Sequence, residues 1–453
     1  MKKVFLFLLC LFAFFFFLPY LASTSLGQKV SLQLIGWKMN AKVDASSIRL
    51  SWLGPQLFSG LNVKNQNLDG SCQEFTAYMP LWRFSKLDGP FTISKGALKL
   101  HTSSCQNASL ENLEARIEGE NFTAEGSARS SHQKGSFAVS GSLKKFPGDC
   151  SLQGSLTSIP SCLLDELLQT PRWIEEILGP ILSLEGSITA QKNQGSFDLS
   201  LNSSNCQTKI NASFNGSEIR LQKPLAVSLL PTPALSRLLM KEVNPLFLAS
   251  VEARHAISIY LSPTNFSFPY APFQLDSLSI ERGSIDLGQV VIQTGPSLQS
   301  LLTLLNNRRL QNSSTLNAWF TPLTFELKNG SLKADRLDVL LANSVHLCSW
   351  GKINLLNQKL HMYLGIPAST LASSFNISGL NRDYVLKIPV RGTISKPELI
   401  TGPAVAQITA LAGSQNLPLP KVGKLFGKFV QTVSELKSDA DVPPAKRPFP
   451  WER

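Results

Sequence analysis

From residue 28 onward the chain is dominated by short runs in which apolar and polar residues alternate, each closed by Gly, Asn, Asp or Ser. A period of two sends successive side chains to opposite faces of a strand, so the pattern predicts many antiparallel strands. Phe197, Leu199 and Leu201 fall on one face against Ser196, Asp198 and Ser200, and Leu386, Ile388 and Val390 do the same against Lys387 and Pro389. Leu323, Phe325 and Leu327 repeat the pattern ahead of a turn at 328–331 and a further strand near Leu337 and Val339. Leu360, Met362, Leu364 and Ile366 alternate with His361, Tyr363 and Gly365. Strands with one apolar face must bury it against helices, a second sheet or a ligand.

Three segments, 90–100, 273–287 and 325–335, each read as a strand, a turn at a Gly followed by a small residue, and a returning strand. Hairpins repeated without a fixed period predict a long antiparallel sheet grown by addition, elongated and curved, not a small closed barrel. Helical patterns interrupt it at 161–168, 173–178, 235–248, 296–307 and 403–411, with apolar residues three to four apart. A last amphipathic helix is expected at 422–436, with Val422, Leu425, Phe426 and Phe429 on one face and Lys421, Lys424, Lys428 and Lys437 around it. It fits an anionic membrane surface or, more plainly, a helix capping the sheet. Residues 438–453 are Pro-rich and charged and are expected to form a disordered tail.

Met1-Lys2-Lys3 is followed by a stretch from Val4 to Leu18 without a charge, continuing to Ala22. This is an export segment, either a cleaved signal peptide or an uncleaved anchor. About 19 residues at ~1.5 Å each span roughly 28 Å, close to the hydrocarbon thickness of a bilayer, which favours an anchor through residues 4–22. The two lysines place the amino end in the cytoplasm and the body across the membrane. Among 453 residues, 16% are charged and 43% apolar, with a mean hydropathy of +0.04. That balance excludes a disordered chain, and with no second long apolar run it excludes a polytopic membrane protein. The formal charge of +12 is a modest basic excess that suits anionic lipid, cell wall or nucleic acid.

Besides Cys10 there are six scattered cysteines, at 72, 105, 150, 162, 206 and 348, with no Cys-x-x-Cys spacing. Disulfides are permitted beyond the membrane; Cys72 with Cys105 and Cys150 with Cys162 are nearest neighbours, but six cysteines allow 15 pairings. Nine Asn-x-Ser/Thr sequons, from Asn107 to Asn376, leave room for a secreted glycoprotein, which a glycosidase mobility shift would reveal, although a chain so rich in Ser and Asn produces several by chance.

Catalytic chemistry finds little footing. No phosphate loop, dinucleotide fingerprint, nucleophile elbow or His-Glu-x-x-His motif occurs, so no catalytic, cofactor or metal residue is assigned. His346 and Cys348 alone have local ligand spacing, sharing a face of an expected strand, where ordinary packing is the simpler account. Glu175 and Glu176 are helix neighbours that do not face each other. Basic residues are dispersed with no aromatic-basic motif, so nucleic acid is not an expected partner.

Two segments resemble the AsmA-like family of envelope proteins. Residues 48–63 carry Trp52, Gly54 and Pro55 in a strand–turn–strand context just after the apolar segment, similar to that family's start. Residues 384–398 place Pro389, Gly392, Thr393 and Pro397 in a pattern similar to its closing strand. The resemblance implies a bacterial inner-membrane, single-pass protein whose periplasmic body is a long, twisted, taco-like β-sheet with an apolar groove. It further implies phospholipid as ligand, outer-membrane assembly proteins as partners, and a role in outer-membrane assembly or intermembrane lipid transfer without covalent chemistry. The expected organisation is a signal anchor or signal peptide at 1–25, an N-terminal β-rich part at 26–260 with a helical insertion near 161–180, and an AsmA-like β-rich part at 261–437 ending in amphipathic helices. Groove candidates are Phe197, Leu199, Leu201, Leu386, Ile388 and Val390. The competing expectation is a scaffold whose sheet is closed by its own side chains.

Overall fold

The alternating runs do form strands, antiparallel throughout, with few helices and no closure into a barrel. The computed structural model describes residues 19–452 apart from 21, 66–67, 85–88, 101–107, 131–132, 146–148, 168–169, 171, 249–250, 254, 272–273, 306–307 and 415–441. Most of the expected anchor and the whole basic helix expected at 422–436 lie outside the described residues. Among the described residues no helix is long and apolar enough to cross a membrane. The chain divides at Ser204 and not near residue 260, because the strands between 206 and 261 pair onward with Ile280–Asp286 and belong to the second unit.

The first unit opens with helix α1 (Ser25–Met39), capped by the Thr24 hydroxyl at its start and by left-handed Asn40 at its end. Two short strands, β1 (Lys42–Asp44) and β2 (Ser47–Arg49), both pair with β3 (Gln56–Lys64). From there the sheet is a sequential meander: β4 (Leu68–Ala77), β5 (Phe91–Leu100), β6 (Ser109–Glu118), β7 (Asn121–Ser130), β8 (Gln133–Lys145), β9 (Asp149–Pro160), β10 (Ile181–Gln191) and β11 (Gln194–Ser203). The predicted helical insertion is present as Ser161–Leu167 and Trp173–Leu178 between β9 and β10. Buried Asp165 joins the pair, its carboxylate accepting from the Ile174 and Glu175 amides at 2.9 Å each at the start of the second helix.

The second unit is also a meander. Its strands are β12 (Cys206–Phe214), β13 (Glu218–Leu221), β14 (Leu225–Leu229), β15 (Val251–Glu252), β16 (Ile257–Leu261), β17 (Phe268–Pro269), β18 (Ile280–Asp286), β19 (Gln289–Gln293), β20 (Thr315–Phe320), β21 (Leu323–Lys328), β22 (Ser331–Leu341), β23 (Val345–Asn354), β24 (Lys359–Pro367), β25 (Val385–Gly392) and β26 (Pro397–Leu399). Several are halves of one kinked strand: β18 and β19 pair with β21 and β20, and β22 pairs with both. Asn329 and Gly330, both at positive φ, form the β21–β22 turn expected from the sequence.

The other two expected hairpins are single strands. Gly96 lies inside β5 and Gly283 inside β18. A methyl group at 283 would come within 2.4 Å of the Phe325 ring, so glycine there makes room for an aromatic across the strand pair instead of turning the chain. The expected disordered tail is likewise corrected. Residues 442–452 lie against the second unit with Phe449 only 3% exposed, because the aromatics between its prolines find a histidine ring to pack on.

Candidate functional site

In the first unit the registers align the apolar positions of successive strands into rows. One row runs Phe197, Ile188, Leu152, Gly141, Phe122, Ile117 and Phe91. The next runs Leu199, Gly186, Gly154, Val139, Ala124, Ala115, Ile93, Phe75 and Phe58. Leu201, Leu184, Leu156 and Phe137 begin a third. The sequence candidates Phe197, Leu199 and Leu201 thus sit at one end of a continuous apolar face. Glycines opposite bulky residues let those side chains lie flat: Leu199 leans over Gly186, Val139 over Gly154, and Phe137 over Gly126.

Among the described residues, buried clusters lie at the margins of this face. Leu32, Ile48 and Phe58 form one beneath α1, and Ala108, Ala128, Ile159 and Leu163 form another beside the helical insertion. Between them Ile93, Ile117, Phe122, Val139, Leu152, Ile188, Phe197 and Leu199 are half-buried.

A hollow of this unit brings residues of both faces together. A trough of about 950 Å³ crosses β5 to β11, lined by Thr92, Ser94, Thr123, Ser140, Gln153, Ser155, Ser187 and Ser200, by Glu114, Glu125, Glu185 and Asp198 with Arg116, and by Ile93, Ala115, Ala124 and Val139 of the apolar row. Alternation puts the apolar side chains of these strands on one face and the Ser, Thr and Glu side chains on the other.

Leu386, Ile388 and Val390 are in a different situation. They lie on the apolar face of the second unit and are 0% exposed. Asn244 donates to the Ser349 hydroxyl at 2.8 Å, Phe247 meets Phe320 edge-on, and helix Gly402–Ser414 packs on β25. Leu298, Leu301, Leu302 and Leu305 add a further buried row. This face is filled by the chain's own helical segments, and the three candidates are core residues.

The residues that carry the sequence resemblance lie in or beside turns. Trp52, Gly54 and Pro55 connect β2 to β3, held by fully buried Gln56, whose amide accepts from the Ser51 amide and donates to the carbonyls of Ser51, Gly54 and Met79. Gly392, at φ +88, pairs with Pro397, while Thr393 and Lys396 exchange backbone hydrogen bonds in the turn between β25 and β26.

The polar face of β22 and β23 carries a cluster that residue spacing only partly revealed. Arg336 donates from Nε and Nη2 to Asp338 at 2.9 and 2.8 Å, and His346 Nε2 lies 3.0 Å from the same carboxylate. Burial works against the Arg336 charge, but the paired hydrogen bonds and attraction from Asp338 outweigh it, so its pKa lies above the ordinary value. Cys348, the cross-strand partner of Asp338, is fully buried, and burial pushes its thiol well above the usual range. Among the described residues no group of three or more metal-ligating side chains converges. The available signal was an Arg-x-Asp pair inside an apolar strand, which can be buried only if mutually satisfied. Glu175 is bound by Arg172 at 2.9 Å and does not face Glu176 across a site. Cys162 is disulfide-bonded, while Cys72 and Cys150 are free, so neither nearest-neighbour pairing forms.

Comparison with family models, curated proteins and solved structures yields no match to this chain.

Proposed function

We propose that the first unit binds the acyl chains of phospholipid along its apolar face, in a protein of the bacterial envelope anchored in the inner membrane with its body in the periplasm. The observation that carries this reading is the aligned, half-buried apolar rows, which the described helices meet at their margins. Seven strands from β5 to β11, at ~4.8 Å spacing, give about 29 Å of apolar path, against ~15 Å for one leaflet's chains. Each methylene transferred to such a surface contributes about 0.8 kcal/mol. The export segment supports the location, and the disulfide at Cys162 supports an oxidising compartment. The likeness of residues 48–63 and 384–398 to AsmA-like proteins points the same way, toward outer-membrane assembly or lipid transfer without covalent chemistry.

Photoactivatable phospholipid tests the reading. Crosslinks are expected on peptides of β5 to β11; labelling confined to the second unit, or none, would contradict it. A second reading, a lipid-free scaffold for envelope assembly proteins, is favoured by the filled apolar face around Ile388.

A further inference from the structure

The end of the chain meets the second unit as a peptide meets a receptor. Twenty-seven residues, 415–441, separate helix Gly402–Ser414 from Val442, so the docked segment arrives from a distant point of the sequence. The Phe449 and Trp451 rings stack at 4.8 Å, and both meet His346 edge-on at 4.9 and 5.4 Å. Val442 packs against the cluster of Cys348, Trp350 and Val385. Arg336 Nη1, the guanidinium nitrogen not used on Asp338, donates to the Pro443 carbonyl at 3.1 Å. Lys446 donates to the Thr324 hydroxyl at 2.8 Å, and Arg447 reaches Asp383 at 3.3 Å.

The receiving surface is built by the second unit itself. Asp338 holds both Arg336 and His346, fixing the nitrogen that reads a backbone carbonyl and the ring that receives the aromatics. The segment is also suited to be a ligand, since prolines at 443, 444, 448 and 450 restrict its free conformations and reduce the ordering lost on docking.

We propose that the second unit carries a peptide-binding site for a basic-Pro-aromatic-Pro-aromatic sequence, and that the chain's own end is its resident ligand, held in cis. The attachment raises the local concentration of the end, so the intact chain excludes the same sequence in trans. The site is independent of the lipid reading.

A specific protease site placed within residues 415–441 of the full chain tests this while leaving every docking residue in place. After cleavage, the freed end is expected to co-elute with the rest of the chain in gel filtration at micromolar protein. Excess synthetic peptide of residues 442–453 is expected to displace it, and the same peptide with Phe449→Ala and Trp451→Ala to displace it roughly tenfold less well or worse. An end that elutes alone, one that no peptide displaces, or one displaced equally by both peptides would overturn the proposal.

Discussion

Asp338 receives two hydrogen bonds from Arg336, two residues earlier on the same strand, with side-chain exposures of 1% and 6%. A bulge in β22 between Ala334 and Leu337 sets Arg336 beside its partner. Asp338→Ala would strand a buried guanidinium and is expected to lower stability by about 3–5 kcal/mol in urea unfolding. The double change Arg336→Met with Asp338→Leu should recover most of that loss, because no uncompensated charge remains. Equal losses in single and double variants would show that packing, not charge pairing, sets the cost.

The two apolar faces should respond differently to a buried charge. Ile388→Asp places a carboxylate at a fully buried position and is expected to unfold the second unit in thermal scans followed by circular dichroism. Leu199→Asp, at a half-buried position, should leave the fold intact and reduce bound lipid, whereas Ser200→Asp on the opposite face should leave lipid unchanged.

Glycines inside elements separate packing from propensity. Gly283→Ala drives a methyl into the Phe325 ring and should cost about 1–3 kcal/mol by chemical denaturation. Gly413→Ala, in the exposed last turn of its helix with open space around it, should stabilise by up to ~1 kcal/mol.

Thiol reactivity follows burial. Cys348 should resist alkylation at mildly alkaline pH in the folded chain and react fully in denaturant, since burial keeps its thiol protonated. Its raised folded-state pKa stabilises the fold below the ordinary thiol value, and that contribution is lost as pH climbs through the folded-state value. Stability measured against pH should therefore decline on the alkaline side, and less so in Cys348→Ala.

Much of the architecture was legible because strand alternation and turn chemistry are local. Asn329-Gly330 marked a true hairpin, and Trp173–Leu178 a true helix. Gly96 and Gly283 misled because the same residue that permits a turn also permits an aromatic or leucine to lie across a strand. The candidate site was half legible. Phe197 and Ile388 show the same alternation, and only long-range packing decides that one is half-buried and the other fully buried. The docked end was illegible for a related reason: its prolines and charges resemble a free tail until the His346 ring is placed beneath Phe449.

The central claim concerns what occupies the apolar face of the first unit, and lipid mass spectrometry of the chain from Thr24 to Arg453, purified without detergent, tests it most directly. Near-stoichiometric phospholipid, diminished by Leu199→Asp and retained in Ser200→Asp, is the predicted result. A folded protein that carries no lipid would contradict the claim and leave the scaffold reading in its place.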